Sequence, residues 1–300
     1  MWIYIRVISE IMSTSGNQIL DNLRYATTRL VVDNSDGNRS IGTGFFFVVT
    51  LDEKISYPLL ITNKHMICNE NEEEVWKSVS FKVNKRDKNG NPIFGEVESI
   101  IIRNTPDEIK FIHPDVDLCA FSFGSYLNDF DKKGIDICFK YFHEELIPNA
   151  GDMPMISSIE NILMVGYPDG MVDEKNNLPI VRRGITATDF KIDYNGKKEF
   201  LIDASIFKGS SGSPVVICDI GSYNNAEGKL CLGNRVFFLG IQYRGEFSKF
   251  RNNVYIKDDK GIFQNYPDIF SAYFNDLGFC VKSENLLYFK EEILRKRRVE

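Results

Sequence analysis

The stretch SIFKGSSGSPVVIC, residues 205–218, decides how the rest of the chain is read. Two runs that favour extended backbone flank a turn built from Gly209, Gly212 and Pro214, with Ser210, Ser211 and Ser213 between them. Glycine at 209 and 212 permits backbone angles that side chains with a Cβ resist. A serine between two such residues is either part of an ordinary loop or a hydroxyl held at a tight turn for chemistry. A free serine hydroxyl is too weakly acidic to attack a carbonyl at neutral pH, so the second reading requires a base, usually histidine, with a carboxylate behind it.

There are three histidines, His65, His113 and His143, and all precede Ser211. That order excludes an α/β-hydrolase, in which serine comes first and histidine last, although GSSGS nearly matches the nucleophile turn of that fold. His65 lies in LLITNKHMIC, directly after an apolar strand-like run, where a strand end can present an imidazole to a cleft. In HPDVDLCAFSF, Asp115 and Asp117 alternate with Val116 and Leu118 before another apolar run. Asp117 abuts that run and is the expected carboxylate, with Asp115 in reserve. The order His, Asp, Ser remains open; the order Asp, His, Ser is formally possible, but the alternating text offers no crossover helices for an α/β sheet.

The surrounding chain supports β structure. TRLVV, GTGFFFVVT, YPLLITN, VWKSVSFKVN, EVESIIIRN and LCAFSF form a first group of short strand-like runs. NILMVGY, IVRRGITAT, KEFLIDAS, SPVVICDI, RVFFLGIQY and NNVYI form a second, after an irregular connector over about 126–160. Residues 14–27 and SENLLYFKEEILRKRRVE read as helices, and the basic end of the latter suits a helix C-terminus. The expected organisation is an N-terminal extension and helix over 1–27, a β unit with His65 and Asp117 over 28–145, a second β unit with Ser211 over 146–260, and a helical segment over 261–300. A mainly all-β protein is expected, its dozen short strands in two groups suggesting paired β-barrels or a sandwich, with the three chemical groups meeting across the seam.

Composition narrows the function further. A net charge of -6 gives no general attraction to nucleic acid or to an anionic membrane. The six cysteines form no CxxC pair, and several sit in apolar runs as core thiols. No ligand cluster or phosphate-binding GxxxxGK[ST] loop is present, so no metal or organic cofactor is expected. The opening MWIYIRVISEIM is interrupted by Arg6 and Glu10 and lacks a small-residue cleavage site, so a cytoplasmic protein is expected, with Met12 as a candidate natural start.

Together these residues resemble the chymotrypsin-like (trypsin-fold) serine peptidases, especially their bacterial HtrA-like branch. GTGFFF at 42–47, ITNKHM at 61–66, DVDLCAF at 115–121, VGYPDG at 165–170, RRGITA at 182–187 and DASIFKGSSGSPVV at 203–216 carry the resemblance, over roughly 28–258. It implies two six-stranded antiparallel barrels of the chymotrypsin type. It also implies Ser211 as nucleophile, His65 as general base and then acid, Asp117 as the group that orients His65, and an oxyanion hole of the Gly209 and Ser211 N–H groups. Ser205 would lie at the base of the primary specificity pocket. Phe207 and Tyr243 would narrow that pocket, and the strand containing Tyr243, Arg244 and Gly245 would form a wall that pairs with substrate backbone. Ser210 stands where activated secreted members carry an aspartate that receives a freed N-terminus, so activation by such cleavage is not expected. Ser213 replaces a second glycine. The residues after the barrels are too few for a PDZ domain, and the neutral Ser205 argues against a preference for Arg or Lys. A polypeptide substrate is implied, with an active endopeptidase as the first expectation. The alternative is a pseudopeptidase or partner-gated module that binds peptide or protein without constitutive cleavage, in which a regulatory partner protein would act.

Overall fold

The computed structural model describes residues 16–257 and 262–299. The N-terminal extension before residue 16, including the start proposed at Met12, lies outside the described residues. The chain opens with helix α1 (Gly16–Tyr25), whose Ile19 and Leu23 face the core. Eight strands follow: β1 (Thr27–Asn34), β2 (Arg39–Thr50), β3 (Ser56–Thr62), β4 (Trp76–Arg86), β5 (Pro92–Arg103), β6 (Lys110–Ile112), β7 (Cys119–Ser122) and the short β8 (Phe142–His143). They form one sheet in the order β5-β4-β1-β2-β3-β7-β6, with β8 added in parallel to β2. The sheet wraps a core of Leu30, Phe46, Leu60, Val79, Phe81, Ile102 and Phe121.

The second group comprises β9 (Asn161–Gly166), β10 (Ile180–Thr186), β11 (Glu199–Asp203), β12 (Pro214–Asp219), β13 (Ser222–Asn224), β14 (Leu230–Leu232), β15 (Arg235–Lys257) and β16 (Phe263–Lys282). Six of them close a barrel in the order β10-β11-β16-β15-β12-β9, around Ile162, Met164, Phe200, Ile202, Val215, Ile217 and Leu239. β13 and β14 form a separate ribbon.

The text GTGFFFVVT explains how the lobes join. Successive side chains of a strand point to opposite faces. Phe46 therefore enters the front core, while Phe45, Phe47 and Val49 enter a third cluster shared with Val165, Val216, Phe238 and Ile241 of the rear barrel. The Phe45 ring meets Phe142 and Phe238 edge-on, at centroid distances of 5.7 and 5.4 Å. A strand buried on both faces reads as a continuous apolar run, as β2 does.

Two stretches differ from expectation. The segment 261–300, expected to be helical, begins with β16, which pairs with β11 and β15 and completes the barrel. Around Gly278 the ladder leaves no solvent face: Phe279, Cys280 and Val281 are all buried, so the two-residue alternation that marks a half-exposed strand is absent. The β15–β16 ladder also continues outward to Lys257 and Phe263, a two-stranded arm beyond the barrel. Within the connector, Gly124–Lys133 forms helix α2, packed through Tyr126, Leu127 and Phe130. Left-handed Gly134 ends it, its N–H reaching Asp131 O and Phe130 O.

Helix α3 (Leu287–Val299) closes the chain with Phe289 and Ile293 in the inter-lobe cluster. Its basic end is held locally: Arg297 reaches Asp52 at 3.0 Å, Arg295 pairs with Glu292, and Lys296 lies over the Phe111 ring. No helix among the described residues is long and apolar enough to cross a membrane.

Candidate active site

Strand pairing brings His65 and Asp117 together. Thr62 at the end of β3 lies opposite Cys119 at the start of β7. The residues that continue from one strand and lead into the other therefore emerge at the same end of the sheet. After β3, Asn63 begins a short 3-10 turn, Lys64–Met66, that lifts His65 above the sheet. The Asp117 carboxylate grips His65 at two points. Its Oδ1 accepts the His65 backbone N–H at 2.9 Å, and its Oδ2 lies 2.5 Å from the ring Nδ1. A carboxylate only accepts, so in the neutral ring this contact puts the proton on Nδ1 and leaves Nε2 with a free lone pair. Buried Asn63 donates its amide to Asp117 O at 2.7 Å, fixing the backbone that carries the carboxylate. The His65 side chain is 46% exposed, so the ring is open to a substrate.

The turn around Ser211 is shaped by close backbone approach to β2. Gly212 has φ +87, and a Cβ there would collide with Thr43 O. Thr43 fastens the turn from the front lobe. Its N–H donates to Ser211 O at 2.8 Å, its hydroxyl donates to Gly209 O at 3.1 Å, and its carbonyl accepts from the Thr62 hydroxyl at 2.8 Å. From the rear lobe, Gly212 N–H donates to Gln242 O at 2.8 Å.

Lys208 O accepts the Asp169 N–H, at 2.5 Å, from the turn after β9. A trans peptide sends its C=O and N–H in opposite directions, so the Gly209 N–H points away from Asp169. Gly209 adopts φ +80. Among the described residues, neither the Gly209 N–H nor the Ser211 N–H donates to a protein acceptor. Two amide donors on either side of Ser210 are thus free for a ligand.

The Ser211 hydroxyl donates to Tyr243 O at 3.4 Å. No hydrogen bond joins it to His65. The neighbour of His65 and the serine turn nevertheless approach the same short piece of β2: a Cβ on Gly42 would strike the Met66 side chain and lie 3.4 Å from the Ser211 backbone carbonyl.

The remaining sequence candidates are distributed as follows. Ser205 is exposed and lines a shallow groove with Asn161, Arg183, Gly184, Ile185, Asp203, Ala204 and Asp276, a groove that contains none of His65, Asp117 and Ser211. Phe207 is 42% exposed. The Tyr243 ring packs toward Phe279 in the core, and burial, together with neighbouring Glu199, pushes its phenol pKa up. Its backbone, rather than its ring, faces the serine. Arg244 is exposed with its guanidinium 4.0 Å over the Phe279 ring, and Gly245 follows in the ladder opposite Gly278. Asp115 lies away from His65; its N–H donates to His113 Nδ1 at 3.1 Å. His113 is buried against Tyr288, and His143 is bound to Thr50.

Thr43, Asn63, Asp169 and Arg182 are not among the sequence candidates, yet each contacts this site. Thr43 lies inside GTGFFF and Arg182 opens RRGITA, but nothing in either residue type marks a long-range contact. Among the described residues no group of three or more His, Cys, Asp or Glu side chains stands where a metal ion could be held.

The sequence profile described as a trypsin-like peptidase domain matches residues 42–221. No curated protein sequence matches the chain. Similar solved structures include a serine endoprotease from Yersinia pestis at 16% identity, covering 95% of this chain and 68% of that one, with a TM-score of 0.44. The HtrA-type protease AlgW with a tripeptide is 14% identical, covering 93% of this chain and 64% of that one, with a TM-score of 0.43. A catalytically inactive tobacco etch virus protease complexed with substrate is 13% identical, covering 83% and 80%, with a TM-score of 0.41.

Proposed function

We propose that this chain, which belongs to the trypsin-like peptidase domain family, is a serine endopeptidase that cleaves polypeptides through an acyl-enzyme. The observation that carries this reading is the two-point hold of Asp117 on His65, which in the neutral ring leaves Nε2 unprotonated on a side chain that is 46% exposed. In the proposed cycle the Ser211 hydroxyl turns from Tyr243 O toward His65 Nε2, which takes its proton as Oγ attacks the scissile carbonyl. The carbonyl oxygen gains the negative charge and is met by the Gly209 and Ser211 N–H groups, a contribution on the order of 2.7–4 kcal/mol per donor in a comparable site. The C–N bond breaks as His65 returns the proton to the leaving amine. Water then attacks the acyl group with His65 again as base, restoring the Ser211 hydroxyl and releasing the acid.

Asp117 stabilises the imidazolium formed in each half without taking its proton. The strand carrying Tyr243, Arg244 and Gly245 is proposed to hold extended substrate backbone, with Ser205 and Phe207 bordering the side-chain site. The six cysteines, free in the structure, favour a reducing, cytoplasmic compartment.

A second reading is favoured by one contact. The Ser211 hydroxyl rests on Tyr243 O rather than on His65. This suits a module that stays quiet until a substrate or a partner protein turns the serine.

Fluorophosphonate labelling of wild type and Ser211→Ala tests both. Labelling confined to wild type is expected; labelling that persists in the variant rejects Ser211 as nucleophile. A wild type that labels only with a peptide or partner present would favour the gated form.

A further inference from the structure

Behind the serine turn lies a cation that the proposed cycle does not use. Arg182, on β10, donates from Nη1 to Ser205 O at 2.7 Å and to Ser210 Oγ at 2.9 Å. Ser210 is fully buried, and its hydroxyl also accepts the Phe207 N–H at 3.3 Å. The Ser210 N–H in turn donates to Phe207 O at 3.1 Å. One guanidinium nitrogen thus ties together the two ends of the turn 205–210, whose next residue is Ser211.

The arrangement is costly for a side chain with no other task. Nε and Nη2 of Arg182 are buried with no partner among the described residues. Its direct partners are a carbonyl and a hydroxyl rather than a carboxylate. Burial pulls the guanidinium pKa down to about 10, against the opposing attraction of Asp169, and it remains charged near neutral pH. Asp169 is also the residue whose N–H fixes Lys208 O and thereby aims the Gly209 N–H. A neutral side chain of similar length would avoid the buried charge but would leave Ser205 O and Ser210 Oγ without this donor.

We propose that Arg182 is a positioning residue that holds the serine turn in its reactive shape from within the rear barrel. The cation is supplied by β10 and its acceptor is Ser210, so the turn is set as soon as the barrel closes. This rests on the reading of Ser211 as nucleophile and of the Gly209 and Ser211 N–H groups as oxyanion donors.

The test measures fluorophosphonate labelling rate against probe concentration on the full chain, with folding checked by thermal unfolding. Arg182→Met is expected to lower the limiting rate about 100-fold, the size of losing one oxyanion donor. The half-saturating probe concentration should stay within about twofold of wild type, because a misplaced donor affects the reaction rather than binding. Arg182→Lys, which keeps a donor and the charge, is expected to recover the rate to within about 10-fold of wild type. Ser210→Ala removes the acceptor and should slow the limiting rate on the order of 10-fold.

Wild-type limiting rates in Arg182→Met and Ser210→Ala would overturn the inference while leaving Ser211 in its role. So would Arg182→Lys labelling no faster than Arg182→Met. If Arg182→Met does not fold, Ser210→Ala decides: an unchanged rate overturns the proposal and a slowed one supports it. A wild type that never labels, or labelling that survives Ser211→Ala, takes down the peptidase reading itself, and this inference with it.

Discussion

Thr43 holds Ser211 from the opposite lobe: its N–H donates to the Ser211 carbonyl at 2.8 Å across the seam between the two halves of the chain. The same residue uses its hydroxyl three ways. It donates to Gly209 O at 3.1 Å, accepts the Tyr167 N–H at 3.2 Å and meets Ser213 Oγ at 3.3 Å. Thr43 is fully buried, so none of these groups can turn to water instead. Thr43→Val keeps the shape and removes the oxygen. It is expected to cost about 1–3 kcal/mol in urea unfolding, the penalty of stranding buried polar groups. The limiting rate of serine labelling should fall with it, because the Gly209 peptide loses its front-lobe anchor. Thr43→Ser should recover most of both losses. A valine variant as stable and as reactive as wild type would show that the backbone contact alone carries the seam.

Asp117→Asn separates orientation from stability. An asparagine oxygen can still accept the His65 backbone N–H, which keeps the turn in place. If its amide nitrogen faces the ring, it donates to Nδ1 instead of accepting from it, and the ring proton moves to Nε2. The base is then lost without loss of shape. Turnover on a peptide substrate is expected to fall about 10⁴-fold, as for the same change in a related triad. Unfolding free energy should move by less than about 1 kcal/mol. A fall of under tenfold would mean that His65 does not act through Nε2.

The parts legible in the sequence are those set by local pattern. The residues after β3 and before β7 carry His65 and Asp117, and the strand texts around them are apolar enough to fix which ends meet. Gly212 is legible because only glycine tolerates that approach to β2. Arg182 and Thr43 are not, because their roles depend on which distant carbonyl each meets, at separations of 23 and 166 residues. β16 was hidden by its burial on both faces near the barrel, and α2 by its polar, Asp-rich text, whose apolar face is only Tyr126, Leu127 and Phe130. Nor does sequence say where a serine hydroxyl rests. The contact of Ser211 with Tyr243 O turns on a single side-chain torsion.

His113 makes acid stability a test of the ground beneath Asp117. Its Nδ1 accepts the N–H groups of Asp115 and Val116 at 3.1 and 3.2 Å, so the ring must be unprotonated at that atom. Its ring lies 4.4 Å from that of Tyr288 on helix α3. Burial holds its pKa below the ordinary value of 6.5; the Asp115 charge pulls the other way, while Lys64 and Lys198 add to the lowering. Because the folded pKa is depressed, the unfolded chain binds more protons as acid is added. The associated stability is therefore fully present above 6.5 and is lost as pH falls below it. His113→Asn places an amide oxygen near the Nδ1 position and does not titrate there. The urea midpoint of wild type is expected to fall more steeply between pH 7 and about 5 than that of the variant. Subtracting one profile from the other removes the contributions of the other two histidines. Parallel profiles would mean that protonated His113 finds compensation in place, and that the turn leading into Asp117 does not depend on its neutral ring.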